Sequence, residues 1–400
     1  MLLRERKGKK SAMNATGNRR RKRGLPLLCL AITIAILIAG LWPFNFRPKN
    51  EVTWLTGQNG IHFGRLGIAY SKESVYGTQG AIRPGRPVSI ELVVRPAQEP
   101  NHSTAQILTL YTEGNRQFFS LAQWKSFLIL RAASQGSALH FGSREMSARN
   151  VLLKNIPRFL TVISQNGNTA IYADGQMMKL TRNFPILPAD SSASGKFVLG
   201  NSPTGHSSWT GDLLFLASYG RELSSEEVFQ HFQDWIAKGS PTWSPGKTPA
   251  LLYLFDERKG LTSRNHSGDH YDISIPTTFH ILQKTVLRLP WEEEYFHRSF
   301  IRDVVINILG FLPFGFFFAA WLRNGAGLPS KSHVFLIAML GGGTSLTIEL
   351  LQIYLPPRTS SLSDVICNIF GTILGVYLFR WVLLFLGIEK GATRNRVGGL

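Results

Sequence analysis

Four apolar stretches, one near the start and three towards the end, flank a long middle in which apolar and polar residues alternate. Leu25 to Phe46 carries no charge and is long enough to cross a bilayer as a helix. Val304 to Leu322 is a second such stretch. Val334 to Leu355 is a third, interrupted by Glu349, and Val365 to Ile388 a fourth, with Arg380 towards its far end. The pattern predicts membrane helices over 25–46 and about 303–322, 334–355 and 365–388. Residues 50–288 read differently. Short β-rich runs such as Val88-Ser-Ile-Glu-Leu-Val-Val94, Phe127-Leu-Ile-Leu130, Phe159-Leu-Thr-Val-Ile163, Ala170-Ile-Tyr-Ala173, Phe197-Val-Leu199 and Asp212 to Tyr219 recur between turn signals. Asn166-Gly167 and Asp174-Gly175 are hairpin turns. Ser224-Ser-Glu-Glu227 is a capping box that opens a short helix through Val228, Phe229 and Phe232. The expected fold is a multi-domain membrane protein: an all-α four-helix transmembrane bundle plus an all-β sandwich or jelly roll outside the cytoplasm.

Charge orients these elements. The chain of 400 residues has a net charge of +19. Residues 1–23 hold ten Lys and Arg against one acid, Glu5. The run stops directly before the first apolar stretch and has no interleaved aromatic residue. That makes it a topology signal with some attraction to anionic lipid, not a nucleic-acid arm. The first stretch is too long for an ordinary signal-peptide core and lacks a clean cleavage site after it, so it reads as an uncleaved anchor. With residues 1–24 as a basic cytoplasmic tail, the spans place 47–300 in the periplasm and the loop with Arg323 and Lys331 in the cytoplasm. Pro356 to Ser363 then lies outside and the 389–400 tail inside. These are the bounds expected of a bacterial inner-membrane protein. Cys29 and Cys367 both lie in apolar stretches, so no disulfide framework and no Cys-based metal site is expected, and no cofactor is implied.

The chain writes one phrase twice, 61 residues apart: Asp303-Val-Val-Ile-Asn307-Ile-Leu-Gly310 and Asp364-Val-Ile-Cys-Asn368-Ile-Phe-Gly371. Each opens a span, and in each the Asp and Asn share a helix face. Glu349 and Gln352 lie in the last turns of the third span, and Arg358 in the loop that follows. All seven fall at the outer end of their spans, where Arg358 is the expected counter-charge for Glu349 or Asp364. Two readings stand open. One is a helix-packing network with Asp303 and Asp364 as N-caps. The other is an outward-facing ligand site, since polar groups in a membrane need a reason. Gly341-Gly-Gly343 and the Gly371-x-x-x-Gly375 spacing predict close helix packing, and Pro313 with Gly315 a kink in the second span.

Two resemblances follow from these residues. Ser89-Ile-Glu-Leu-Val-Val-Arg-Pro96, Ala170-Ile-Tyr-Ala-Asp-Gly175, Phe197-Val-Leu-Gly200, Trp209-Thr-Gly-Asp212 and Tyr219 to Val228 resemble concanavalin A-like, laminin-G-type jelly rolls over most of 50–255. Tyr253-Leu-Phe-Asp-Glu257 is similar to a closing strand of that type. The family implies a sugar- or protein-binding module. Its glycosidases need paired carboxylates across a groove, whereas Glu91 has no visible mate, so binding is expected rather than hydrolysis. Asp174 and Asp212 read as turn residues before Ca²⁺ ligands. The second set is Asp303-x3-Asn307-x3-Phe311-x-Pro313-x-Gly315, then Ser345-x2-Ile348-Glu349-x2-Gln352, then Arg358-x5-Asp364-x3-Asn368-x2-Gly371-x3-Gly375. It resembles the VanZ-like membrane family over 301–388, with a jelly roll inserted where simpler members have a short loop. That resemblance implies the cell envelope and glycopeptide resistance, but no reaction. The expected partners are the lipid bilayer and a lipid-linked glycan or envelope polysaccharide, with Arg358 pairing to phosphate. A jelly roll for which the spans are only an anchor, and a membrane enzyme using Glu349 or Asp364 as acid or base, are the alternatives.

Overall fold

The computed structural model describes residues 24–100, 103–112, 117–133, 143–187, 193–268, 270–284, 286–290, 298–323, 329–356 and 358–387. It divides into two compact units. One is Arg47–Lys284, and the other joins Met1–Phe46 to Thr285–Leu400.

The first unit is built from two antiparallel eight-stranded sheets. With strands numbered in chain order, the first sheet contains β1 (Val52–Trp54), β2 (Ile61–Phe63), β4 (Val88–Pro96), β9 (Arg158–Gln165), β10 (Asn168–Ala173), β11 (Gln176–Thr181), β13 (Gly211–Tyr219) and β14 (Leu251–Tyr253). Its order is β1-β2-β13-β4-β9-β10-β11, with β14 paired to β13. The second contains β3 (Ala69–Ser71), β5 (Ala105–Tyr111), β6 (Gln117–Trp124), β7 (Phe127–Ala133), β8 (Ser143–Ala148), β12 (Lys196–Leu199), β15 (Thr262–Ser263) and β16 (Ile273–Ser274). Its order is β15-β16-β3-β12-β5-β6-β7-β8.

Side-chain alternation sorts β4 between two cores. Ile90, Leu92 and Val94 join the main core with Leu121, Leu130 and Phe197 of the second sheet. Val93 points the other way, into a second core with Phe159, Phe215 and Val228. That second core is closed by α2 (Ser225–Lys238), so the central strands β4 and β13 of the first sheet are buried on both faces. The Ser-x-x-Glu spacing forms the capping box at Ser224 and Glu227, and α2 ends on Gly239 at φ 77°. Both hairpin dipeptides take positive φ at both positions, 49° and 76° at Asn166-Gly167 and 51° and 79° at Asp174-Gly175, as a two-residue I′ turn requires. The expected closing strand over 253–257 stops at Tyr253. Phe255 takes φ 49°, a left-handed conformation that an extended strand excludes.

The second unit holds four helices long and apolar enough to cross a membrane: α1 (Gly24–Leu41), α3 (Arg298–Leu322), α4 (Lys331–Gln352) and α5 (Leu362–Phe385). The protein is therefore a membrane protein with an all-β domain. α1 ends short of the expected Phe46 because Trp42 precedes Pro43, which disfavours helical backbone at residue 42. α4 ends at Gln352 rather than Leu355. The expected end of the fourth span at Ile388 lies outside the described residues. α3 runs as one helix through Pro313, which has no N–H to donate to Leu309. Phe311, Phe314, Phe318, Ile337, Val376 and Phe379 form the core of this unit. Ile301, Leu309, Phe335, Met339, Phe370 and Phe385 stay exposed, the outward apolar surface that a lipid-facing bundle presents. Small residues set the spacing of α3 and α5. A Cβ on Gly371 would collide with the Ile308 carbonyl oxygen, one on Gly375 with that of Leu312, and one on Gly315 with that of Thr372.

Candidate functional site

The polar residues of the helical unit gather where α4 meets α5. Glu349, 2% exposed, lies in the last turn of α4. One carboxylate oxygen, Oε2, accepts from the Ser361 N–H at 2.8 Å. Ser361 is the N-cap of α5, its hydroxyl accepting from the Asp364 N–H. The carboxylate thus sits at the positive end of a helix, where an anion is favoured by about 0.3–1 kcal/mol, and more when partly buried. One turn of α4 deeper, Ser345 Oγ accepts from Asn368 Nδ2 at 2.8 Å. Another turn deeper, Thr372 lies against Gly341, its hydroxyl donating to the Asn368 carbonyl at 2.8 Å. Residues 349, 345 and 341 of α4 therefore face 361, 368 and 372 of α5 in an antiparallel polar seam.

The rim of the seam is tied to the end of α1. Gln352 Nε2 donates to the Gly40 carbonyl at 2.8 Å. Gly40 is needed there, since a Cβ would stand 2.8 Å from Ile348 Cγ2. The Arg358 guanidinium donates to the Trp42 carbonyl at 3.1 and 3.3 Å, not to Glu349 or Asp364 as its charge had suggested. Residues ahead of α3 also dock here. Arg288 donates its N–H to the Ser360 carbonyl, Leu362 returns one to the Arg288 carbonyl, and Leu287 N–H reaches Ser360 Oγ.

The doubled phrase is symmetric in sequence and unequal in space. Asn368 is 5% exposed and bonded in the seam. Asp303 is exposed and Asn307 half-buried. Among the described residues, no hydrogen bond carries either side chain into the seam. The same holds for the glycines, because Gly310 has open space where Gly371 has the α3 backbone. Periodicity placed both phrases at helix starts but said nothing about which helix is central. α5 packs against both α3 and α4, so its copy is buried.

In the β unit, Glu91 has a mate that is not a carboxylate. It is fully buried, accepts from Tyr219 Oη at 2.7 Å and meets His231 Nδ1 at 3.0 Å from both oxygens. Trp243 Nε1 donates to Tyr219 Oη at 2.8 Å. Burial, and then the Glu91 charge, push the Tyr219 hydroxyl far above its ordinary value, so it remains a donor. The signal for His231 was its place three residues after Val228 on the apolar face of α2. Asp174 is in its turn, accepting from the Phe159 N–H at 3.0 Å and pairing with Arg158. Asp212 is a strand residue, not a turn residue, and its carboxylate meets Arg95 and His62, each at 2.6 Å. Asp256, Glu257 and His266 bring one ligand atom each within 4.8 Å of one another. Asp256 and His266 already pair at 3.1 Å.

Comparison with protein families matches residues 250–385 to the VanZ/LLP1 family. It matches residues 74–229 to a laminin-G model of the concanavalin A-like lectin/glucanases superfamily. The chain carries a VanZ-like domain and a laminin-G-type jelly roll. The VanZ-like match begins inside the β unit, taking in β14 to β16 ahead of the helices. The laminin-G match leaves β1 to β3 outside, although they pair into the two sheets. Among solved structures, a heptameric SAP-like pentraxin from Limulus polyphemus is 13% identical, with TM-score 0.34, covering 57% of this chain and 94% of its own. A putative carbohydrate binding protein from Bacteroides ovatus is 14% identical, with TM-score 0.37, covering 56% of this chain and 61% of its own. The CBM40 of a Ruminococcus gnavus IT-sialidase, bound to alpha2,3 sialyllactose, is 11% identical, with TM-score 0.32, covering 43% and 95%. No curated protein matches the chain.

Proposed function

We propose that the VanZ-like domain uses the polar seam between α4 and α5 to engage a cell-envelope precursor or a glycopeptide-like ligand at the outer face of the bacterial inner membrane. In this reading the jelly roll is periplasmic and binds glycan, both termini are cytoplasmic, and a lipid-linked glycan is the natural partner of a site made within spans. The supporting observation is Glu349, a carboxylate 2% exposed inside an apolar bundle. Such a group costs about 2.5–3.5 kcal/mol at mid-membrane on insertion scales and less near the interface. Gln352, Arg358, Asp364 and Asn368 surround the same α4–α5 junction, while Asp303 and Asn307 line the start of α3. The basic residues Arg323 and Lys331 between α3 and α4 agree with the orientation.

The test is glycopeptide sensitivity of cells expressing Glu349→Gln and Arg358→Ala at matched membrane levels. Altered sensitivity is expected for Glu349→Gln, and unchanged sensitivity in both removes the seam from the function. The jelly roll is tested separately, as residues 47–284 on a glycan array. Glycan binding there together with harmless seam substitutions supports the reading in which the spans serve as an anchor.

A further inference from the structure

In the β unit two carboxylates and a histidine converge where the chain crosses from one sheet to the other. Asp256 and Glu257 follow β14 of the first sheet, and His266 follows β15 of the second. Each offers one ligand atom, and these atoms all lie within 4.8 Å of one another. Asp256 Oδ1 and His266 Nε2 are 3.1 Å apart. Glu257 is half-buried, and its Oε1 accepts from the Arg264 N–H. Its other oxygen, Oε2, is shut off from solvent and has no hydrogen-bond partner. Among the described residues, no Lys or Arg forms an ion pair with either carboxylate, and Asp256 pairs with His266. Neighbouring carboxylates repel, and an acceptor out of water with no donor calls for an explanation. A bound cation answers both. Backbone bonds hold the two ligand-bearing segments side by side. His266 N–H donates to the Leu252 carbonyl at 2.8 Å, and buried Asn265 accepts through Oδ1 from the Leu252 and Ser267 N–H groups at 2.9 and 3.1 Å. Asp256 and His266 are exposed, so an ion reaches the set from solvent.

We infer that Asp256, Glu257 and His266 bind a zinc ion, which clasps the exit of β14 to the exit of β15 and so ties the two sheets together. Zinc bonds of about 2.0–2.2 Å set tetrahedral ligand atoms about 3.3 Å apart. The Asp256–His266 pair already stands near that spacing, and a small rotation of the Glu257 side chain closes the remainder. Three protein ligands leave the fourth position to water. His266 binds as the neutral ring through Nε2, with its proton on Nδ1. Zinc then takes the place of the hydrogen between His266 and Asp256. An imidazole among three ligands tells against Ca²⁺ and Mg²⁺, which take six or more oxygens. The site belongs to the β unit alone, and nothing in it depends on what the polar seam engages.

The test uses the full-length protein in dodecyl maltoside micelles, whose sugar headgroup has no phosphate to hold zinc. After treatment with EDTA and removal of the chelator, zinc chloride is titrated calorimetrically, with calcium chloride and magnesium chloride as separate arms. Melting temperature is read with and without each ion. Saturable binding of one zinc ion per chain is expected, together with a rise in melting temperature, since an ion that binds only the folded state stabilises it. Calcium and magnesium should do neither at about a hundredfold higher concentration. The chain has ten histidines, so the assignment depends on variants. His266→Ala and Glu257→Gln should each weaken zinc binding about tenfold or more and abolish the rise in melting temperature. His280→Ala, at an exposed histidine that meets Tyr70, should leave both as in the parent. If Glu257→Gln does not fold, Asp256→Asn changes an exposed side chain, keeps its shape and should weaken zinc by a similar factor. Zinc bound equally by His266→Ala, no saturable zinc binding, calcium bound as tightly as zinc, or zinc binding that leaves the melting temperature unmoved overturns the inference.

Discussion

Glu91→Ala removes the acceptor on which the second core of the jelly roll converges. The carboxylate is fully buried. It accepts from Tyr219 Oη at 2.7 Å, meets His231 Nδ1 at 3.0 Å and takes a long contact from Thr161 Oγ1 at 3.5 Å. Hydrogen bonds to a charged group contribute about 1.5–3 kcal/mol each. Breaking a buried pair by removing one partner costs about 3–5 kcal/mol, since the other is left uncompensated. Two strong bonds and a small cavity put the expected loss at about 4 kcal/mol. The loss should fall on the docking of α2, because His231 is on that helix while Glu91 and Tyr219 are on β4 and β13. The assay is urea unfolding of residues 47–284, read by tryptophan fluorescence, since Trp243 touches the network through Tyr219. Glu91→Leu combined with His231→Leu should lose less than the sum of the single changes, with a coupling of at least about 1 kcal/mol. A Glu91→Ala variant within about 1 kcal/mol of the parent, or additive single changes, refutes the reasoning.

Three further outcomes are expected. Gly371→Leu and Gly375→Leu should leave little folded protein on fluorescence-detected gel filtration, because their side chains would overlap the Ile308 and Leu312 carbonyls, whereas Gly310→Ala should match the parent. Arg221, bonded twice to Glu227, holds that carboxyl down to about 2, with further help from the Ser224 N–H and Lys247. Being depressed in the folded state, Glu227 contributes stability that is complete above its unfolded value near 4.5 and is lost as pH falls towards 2. With solvent screening this is about 1 kcal/mol, read as an acid slope in melting temperature that Arg221→Gln flattens. Ser361→Ala removes the N-cap of α5 and should cost about 1 kcal/mol, read as a lower melting temperature in nanodiscs. The backbone N–H to Glu349 survives that change, so glycopeptide sensitivity should stay as in the parent.

The elements of both units were legible in the chain because each is dictated by local periodicity. Apolar runs long enough for a bilayer become α1, α3, α4 and α5, since lipid demands that backbone groups bond within the segment. Alternation in Val88 to Val94 becomes a strand, and Asn-Gly and Asp-Gly become its neighbours' turns because only such pairs take positive φ readily. The capping box at Ser224 is likewise local. Of the seven polar residues that read as a set, Glu349 and Asn368 meet in the polar seam and Gln352 at its rim, while Asp303 and Asn307 do not enter it and Ser345, Ser361 and Thr372 join it from outside the seven.

Pairing was not legible, because it depends on which faces meet and the chain does not state that. Charge alone suggested Arg358 for Glu349, yet the guanidinium donates to the Trp42 carbonyl just past the end of α1. A missing carboxylate made Glu91 look unpaired, while a helix 140 residues later in the chain supplies His231. Phe255 broke a strand that composition favoured. The doubled phrase shows the division most clearly. Its two copies are alike in every property that sequence determines: residue type, spacing, helical face and place at the start of a span. Packing around α5 alone buries Asn368 and bonds it in the seam, and leaves Asp303 exposed and Asn307 half-buried.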